Sequence, residues 1–172
     1  NRFFAVVVDE VHRNGGWINK FQGDATLAVF GVPTPCPDAP GQALAAARAI
    51  SARLPVEVPE LAAGIGVAHG PVVAGHVGDE RRFEFTVIGD PVNGAARLTE
   101  LSKSFEPMVL ASRGAVEAAL PEERDRWEDA GSAELRGRAT TSALARPLPQ
   151  GGRRDRDGQA LVAGSAEVPA EP

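Results

Sequence analysis

The tightest constraint on the fold comes from the stretch Trp17 to Phe30, which reads as two short strands joined at Gly23-Asp24. A Gly-Asp pair between two apolar segments is typical of a β-hairpin. Lys20 and Asp24 both lie near the tip of this hairpin, so an ammonium and a carboxylate are expected close together. A turn that holds both groups suits a nucleotide with its metal ion, because Mg²⁺ binds through carboxylates and substrate phosphates.

The elements around the hairpin predict an α+β fold. Apolar residues at helical spacing predict a helix over 1–14 that ends at Gly15-Gly16, and an Ala-rich segment predicts another over 41–54. The same rules predict strands over 61–68, 72–77, 81–88, 108–111, 126–130, 133–136 and 142–146, with helices over 91–102 and 113–120. The order of helix, hairpin, second helix and strand is typical of a ferredoxin-like fold.

Composition limits the classes of function. A chain of 172 residues predicts one domain, which we place at 1–146. Residues 147–172 are rich in Pro, Gly and charge, and we predict a disordered tail there. The net charge of −5 argues against a nucleic-acid partner. A single cysteine, Cys36, fits a reducing, cytoplasmic setting, and no apolar run approaches the ~20 residues of a membrane span.

Four side chains are candidates for a nucleotide site. Asp24 offers a hard oxygen ligand for Mg²⁺ or Mn²⁺, although a turn aspartate commonly bonds its own backbone. Lys20 can donate but not accept, which suits adenine N1 or guanine O6, unless it is merely solvated. Asn93 and Arg97 share one face at the start of a predicted helix, where anions are favoured, or they form an ordinary polar face.

Two segments together resemble the class III nucleotidyl cyclases, the adenylyl and guanylyl cyclases. The first is Lys20-Phe21-Gln22-Gly23-Asp24, followed by a strand that ends in Phe30-Gly31. The second runs Thr86-Val87-Ile88-Gly89-Asp90-Pro91-Val92-Asn93-Gly94-Ala95-Ala96-Arg97. The resemblance covers residues 1–146 and implies the βαββαβ fold of a cyclase homology domain.

The resemblance also implies roles in binding substrate and metal. Asp24 corresponds to one of two aspartates that hold two Mg²⁺ or Mn²⁺ ions. Lys20 and Thr86 correspond to the purine contacts, and a Lys with a Thr is similar to bacterial adenylyl cyclases. Arg136 or Arg138 resembles the late basic element that binds the terminal phosphates.

The implied reaction is cyclisation of ATP to 3′,5′-cyclic AMP and pyrophosphate. In this reading Asn93 orients the ribose and Arg97 stabilises the phosphate during attack. The family builds its site between subunits, with metal ligands from one subunit and the purine contacts, Asn and Arg from the other. Because this chain carries both sets, we expect a head-to-tail homodimer.

The chain departs from the family pattern at its N-terminus. The family's other metal-binding aspartate lies in a strand before the first helix, and this sequence begins within that helix. We therefore expect the first strand and its aspartate upstream, and we expect the fragment alone to be inactive. Asp9 is not a substitute, because it lies within the helix. Membrane, HAMP-type or sensor modules often precede such domains, so a membrane-tethered parent is compatible with this reading.

One other reading stays open, and two more lack the motif that they need. The domain could be a cyclase-like regulatory module that binds nucleotide or dimerises without turnover. A diguanylate cyclase relative needs a Gly-Gly-Asp/Glu-Glu-Phe type motif, which Phe21-Gln22-Gly23-Asp24-Ala25 lacks. A P-loop kinase is not supported, because no Gly-x-x-x-x-Gly-Lys-Ser/Thr occurs.

Overall fold

The computed structural model describes residues 2–79, 82–135, 141–149, 153–154 and 160–161. The helices are α1 Arg2–Arg13, α2 Ala39–Glu57, α3 Asp90–Ser102, α4 Arg113–Ala118 and α5 Pro121–Arg124. The strands are β1 Trp17–Gln22, β2 Ala25–Val29, β3 Ile65–Val67, β4 Val73–Asp79, β5 Arg82–Ile88, β6 Val109–Ser112, β7 Trp127–Glu134, β8 Thr141–Pro147, β9 Arg153–Arg154 and β10 Ala160–Leu161. Helices and hairpins follow one another without strict alternation, which confirms the α+β prediction.

The largest sheet has four strands in the order β3-β6-β8-β7. β3 and β6 run parallel, while β8 is antiparallel to both β6 and β7. Two further antiparallel hairpins, β1-β2 and β4-β5, form separate two-stranded sheets among the described residues. The parallel β3–β6 pair needs a crossover, and α3 lies between these strands in the chain and packs on both.

Helices α1 and α2 pack together and cover both the β1-β2 hairpin and strand β3. Their shared core contains Val6, Val7, Val11, Ile50, Leu54 and Val58, with Ile18, Ala28, Phe30 and Ile65 against it. The two apolar helix faces therefore hold the hairpin in place through side-chain packing, since no strand pairing joins it to β3 within the described residues. This packing fixes the position of the hairpin tip, where two candidate site residues lie.

Several element boundaries differ from the prediction. β3 spans three residues rather than 61–68, because the segment before it passes under α3; a Cβ on Gly64 would lie 2.4 Å from the Thr99 carbonyl oxygen. The two strands predicted over 126–130 and 133–136 are one strand, β7, whose register shifts between Asp129 and Ser132. Helix α2 starts before 41, because Asp38 caps it by accepting a bond from the Gly41 N–H.

Other departures are smaller. Helix α5 was not predicted, and its four residues begin at Pro121, whose fixed φ suits a first helical position. β4 extends to 79, two residues beyond its predicted end, and β5 starts at 82, one residue later than predicted. β9 and β10 form a two-residue antiparallel ladder within 147–172, and the disordered tail there stays a prediction. No described helix is long and apolar enough to cross a bilayer.

Candidate active site

The β1-β2 hairpin places Asp24 at an exposed tip. Phe21 pairs with Thr26 and Gln22 with Ala25, so the turn consists of Gly23 and Asp24, as predicted. Gly23 has φ +63°, a conformation that favours glycine. The Asp24 side chain is exposed and makes no hydrogen bond or ion pair within the described part of the chain. The alternative of a turn aspartate that bonds its own backbone is therefore not what the structure contains.

Lys20 lies in β1 opposite Leu27, one residue after an irregularity in the strand. The register shifts between Ile18 and Lys20, so Asn19 has no partner in β2. Such a bulge twists the strand locally and redirects a side chain. Lys20 is half-buried, and its ammonium has no hydrogen-bond partner or counter-ion among the residues described. It is thus a cation available to a ligand.

Asn19 joins β1 to β5 by two side-chain hydrogen bonds. Its Nδ2 donates to the carbonyl oxygen of Phe85 at 2.9 Å. The Thr86 hydroxyl lies 3.2 Å from its Oδ1. These two bonds hold the strand that carries Lys20 beside the strand that carries Thr86, so the two predicted purine contacts come from neighbouring strands. Thr86 is buried, at 7% exposure.

An aromatic group supports the same junction between the two hairpins. The ring of Trp17 in β1 lies 5.7 Å from that of Phe85 in β5, and His76 in β4 lies 5.3 Å from Phe85 on an edge-to-face contact. Trp17 also donates its indole N–H to the carbonyl of Val32, which anchors the loop after β2. Aromatic pairs of this kind contribute about 0.5–1.5 kcal/mol beyond area burial.

Helix α3 carries the other two candidate residues. It begins after Gly89, whose φ of +155° and contacts with Pro71 and Val72 favour glycine at this turn. Asn93 is exposed in the first turn, and Arg97, one turn later, is half-buried. Neither side chain makes a hydrogen bond or ion pair to another described residue. Asn93 and Arg97 thus form the predicted polar face of α3, and within the described residues no other side chain bonds to them.

Contact with β3 fixes the position of α3. A Cβ on Gly66 would lie 2.3 Å from the Ala95 carbonyl oxygen and 2.4 Å from the Thr99 N–H nitrogen. The helix backbone therefore lies directly on the strand, at a separation that only glycine permits. Asn93 and Arg97 are placed by this contact, because they belong to the same turns of α3.

The metal site stays a prediction, for which the described residues supply one candidate ligand. Asp24 supplies one exposed carboxylate, which fits a site in which Mg²⁺ takes one or two carboxylates and substrate phosphates. No group of three or more His, Cys, Asp or Glu side chains that could hold a metal forms among the described residues. The residues present therefore fit half of the expected ligand set. Arg136 and Arg138 lie outside the described residues.

A separate open cavity of about 440 Å³ lies beside the hairpin. Its lining comes from the turn after α1, the loop after β2 and one residue of β5: Gly15, Gly16, Trp17, Gly31, Val32, Pro33, Thr34 and Phe85. None of the predicted site residues lines it. The cavity is therefore distinct from the candidate nucleotide-binding side chains.

Sequence reasoning missed Asn19. The available signal was a polar amide directly before Lys20, within a strand whose alternation breaks at that point. Its importance depends on contacts with Phe85 and Thr86, which lie more than 60 positions later in the chain. Strand pattern alone does not show such a contact.

Comparison with known proteins identifies the family. The sequence model described as adenylate and guanylate cyclase catalytic domain matches residues 11–145. Uncharacterized proteins of Mycobacterium bovis and Mycobacterium tuberculosis are each 57% identical over 150 residues. That alignment covers 86% of this chain but 27% of either relative, so the chain spans about a quarter of their length.

Two solved structures show the same fold. The adenylyl cyclase CyaB from P. aeruginosa aligns with a TM-score of 0.76 at 22% identity, over 86% of this chain and 79% of that one. The guanylyl cyclase Cya2 aligns with a TM-score of 0.67 at 28% identity, over 84% and 76%. The ferredoxin-like cyclase fold is thereby confirmed, and the chain belongs to the adenylate and guanylate cyclase catalytic domain family.

Proposed function

We propose that this chain is the catalytic domain of an adenylate cyclase, which converts ATP to 3′,5′-cyclic AMP and pyrophosphate. One observation carries the proposal: the Asn19 bridge sets Thr86 on β5 beside the strand of Lys20, with Asp24 at the tip of the same hairpin. The two proposed purine contacts of one site are thus adjacent in the same subunit, while Asp24 is proposed to serve the other site of the homodimer. One of the two solved structures is an adenylyl cyclase and the other a guanylyl cyclase, and the family model covers both. The choice of base is therefore part of the proposal.

The proposed roles follow from the chemistry of each group. Lys20 donates a hydrogen bond to the purine, since an ammonium has no acceptor. Asn93 orients the ribose so that its 3′-oxygen lies in line with the α-phosphate, and positioning of this kind supplies much of the rate of such reactions. Arg97 carries a fixed charge that stabilises the negative charge gained at the phosphate during attack. The bond to pyrophosphate breaks as the new ester bond forms.

Asp24 is the proposed metal ligand of this chain, with a second aspartate supplied upstream of Asn1. When bound, divalent cations lower the pKa of the attacking hydroxyl and neutralise the leaving pyrophosphate. Arg136 and Arg138 are proposed for the terminal phosphates. Because the relatives are about four times as long as their aligned part, we also propose that sensor or membrane modules accompany this domain in the whole protein.

A homodimer is proposed because this chain carries both the metal ligand and the purine and phosphate contacts, which the family resemblance assigns to opposite subunits. Asp24 lies at a hairpin tip, whereas Asn93 and Arg97 lie on α3. The β4-β5 hairpin also exposes two apolar residues that face each other in its register, Val73 at 68% and Ile88 at 55% exposure. Contiguous exposed apolar surface is typical of protein interfaces, and this pair would contribute to such a surface.

The alternative is a cyclase-like regulatory domain that binds nucleotide or dimerises without turnover. A whole protein that lacks a second metal-binding aspartate upstream of Asn1 would favour it. The two proposals differ in whether product forms, so one assay separates them.

The test uses the full-length protein, because this chain aligns with only part of its relatives. Formation of cyclic AMP and cyclic GMP from ATP and GTP is measured with Mn²⁺, for the wild type, Asp24→Ala and the control Glu117→Ala, which changes an exposed acid on α4. We expect cyclic AMP from the wild type and the control, and a loss of at least about 100-fold in Asp24→Ala. A folded dimer that forms neither product contradicts the enzyme proposal and supports the regulatory one.

A further inference from the structure

We infer that Asn19 is a positioning residue that fixes Thr86 as a hydrogen-bond acceptor and thereby selects adenine over guanine. The inference rests on the proposed function, in which Thr86 contacts the purine. Asn19 itself acts only through Thr86. The argument depends on which atoms of the amide and the hydroxyl donate.

The orientation of the Asn19 amide is set by the backbone of β5. The carbonyl oxygen of Phe85, 2.9 Å away, can only accept, so the atom facing it must be the amide nitrogen. The other end of the amide, Oδ1, then faces Thr86. The assignment follows from the chemistry of a carbonyl.

The orientation of the Thr86 hydroxyl follows from that of the amide. Oδ1 of Asn19 can only accept, so the Thr86 hydroxyl donates its single proton to it across 3.2 Å. The oxygen is left with lone pairs alone for any further partner. Thr86 lies opposite Gly75 in β4, which brings no side chain that could compete for the proton.

A threonine that can only accept distinguishes the two purines. Adenine presents an amino donor at position 6 and an acceptor at N1, whereas guanine presents an acceptor at O6 and a donor at N1. An accepting Thr86 with a donating Lys20 matches the adenine pattern group for group. With guanine, the lone pairs of the Thr86 oxygen would face the lone pairs of O6, and no hydrogen bond could form. Leaving both groups unpaired in a buried site costs binding free energy.

The bulge in β1 makes the bridge possible. Asn19 has no cross-strand partner in β2, because the register shifts between Ile18 and Lys20. Its side chain reaches β5 instead of following the regular alternation of the strand. Asn19, which contacts Thr86, is thus the residue directly before Lys20 in β1.

The test measures kcat/KM for ATP and for GTP with the full-length protein. Asn19→Leu has a similar volume and removes both hydrogen bonds, so Thr86 is free to donate to guanine O6. We expect the ATP-to-GTP ratio of kcat/KM to fall about tenfold, the effect of one hydrogen bond. Asn19→Asp gives up the hydrogen bond to Phe85 but keeps an acceptor for Thr86, so we expect it to retain the wild-type ratio within about threefold.

A double-mutant cycle separates this role from a general structural one. In a Thr86→Val background the hydroxyl is absent, so Asn19→Leu should leave the ratio at the value of Thr86→Val alone. An unchanged ratio in folded Asn19→Leu overturns the inference, as does an equal fall of the ratio in the Thr86→Val background. If Asn19→Leu does not fold, Asn19→Asp and Asn19→Ser carry the test, because aspartate keeps the acceptor and serine is too short to bridge the strands.

The outcome stays distinct from that of the proposed function. If the wild type forms no cyclic product, the enzyme proposal fails, and the same variants are compared by displacement of a fluorescent ATP analogue with ATP and GTP. An ATP-to-GTP affinity ratio that is about tenfold lower in Asn19→Leu than in the wild type then supports the inference. An unchanged affinity ratio overturns it.

Discussion

Arg48 of α2 holds Glu123 of α5 through two parallel hydrogen bonds, from Nε to Oε1 at 2.7 Å and from Nη2 to Oε2 at 2.6 Å. Glu123 also accepts the indole N–H of Trp127 at 2.9 Å in the core. The carboxylate is 11% exposed and its partner 28%. This ion pair therefore links a helix that supports the hairpin to the four-stranded sheet.

The first prediction concerns loss of the cation from that pair. Arg48→Met leaves Glu123 buried without its counter-ion, and we expect the free energy of unfolding to fall by about 3 kcal/mol. Urea unfolding followed by Trp fluorescence measures it, since Trp127 is buried beside the site. The control is Arg124→Met, which removes an exposed arginine whose contact with Asp125 spans 3.8 Å. Equal loss in both variants contradicts the prediction.

The second prediction tests the close contact between α3 and β3. Gly66→Ala places a methyl group 2.3 Å from the Ala95 carbonyl, a distance that backbone atoms cannot accommodate without movement. We expect the domain to lose about 3 kcal/mol or more, and catalysis to fall as α3 shifts. Thermal unfolding and product formation are measured together. Gly114→Ala on α4 is the control, because a Cβ there also meets nothing within 4 Å.

Much of the fold follows from local pattern, and the departures have physical causes. The hairpin, α1 and α3 are recognisable because turn residues and apolar spacing specify them within a few positions. β3 is shorter than its apolar stretch because α3 lies against the residues before it. β7 reads as two strands because its register shifts near Gly131, at φ +81°. These causes are contacts between distant segments, which a local pattern does not contain.

The candidate site divides in the same way. Lys20, Asp24, Asn93 and Arg97 are recognisable because the family motif fixes their spacing. The Asn19 bridge is not, since it depends on how the β1-β2 hairpin packs against β5. The motif residues can thus be identified from the sequence alone, whereas Asn19, which contacts Thr86 across two hairpins, can be identified only from the fold.

The third prediction concerns stability at acid pH. A hydrogen bond from Arg53 lowers the pKa of Asp9 below its ordinary value, and hydrogen bonds from Arg53 also lower the pKa of Glu57 below its ordinary value. A carboxylate with a lowered pKa in the folded state stabilises it above the unfolded pKa, and this contribution is lost as pH falls through the folded pKa. We therefore expect the free energy of unfolding to decline as pH falls below about 4.5.

Arg53→Met provides the test of that prediction. The variant removes the donor shared by both carboxylates, so its unfolding free energy should depend less on pH between neutral and acid solution than that of the wild type. Lys103→Met removes an exposed cation paired with Glu100 on α3 and should leave the pH dependence unchanged. An Arg53→Met profile parallel to the wild-type one would contradict the assigned cause.

The fourth prediction addresses the proposed sharing of the site between two subunits. Asp24→Ala removes the proposed metal ligand and Arg97→Ala the proposed phosphate contact, so each homodimer is expected to lack one half of both its sites. When the two full-length variants exchange subunits, each mixed dimer gains one intact site. Random exchange of equal amounts should restore about a quarter of wild-type cyclic AMP formation. Mixing Asp24→Ala with Lys20→Ala must behave in the same way, because Lys20 belongs to the proposed purine-binding half. Activity that stays at the level of the separate variants, although mixed dimers form, means that Asp24 and Arg97 serve the same subunit's site.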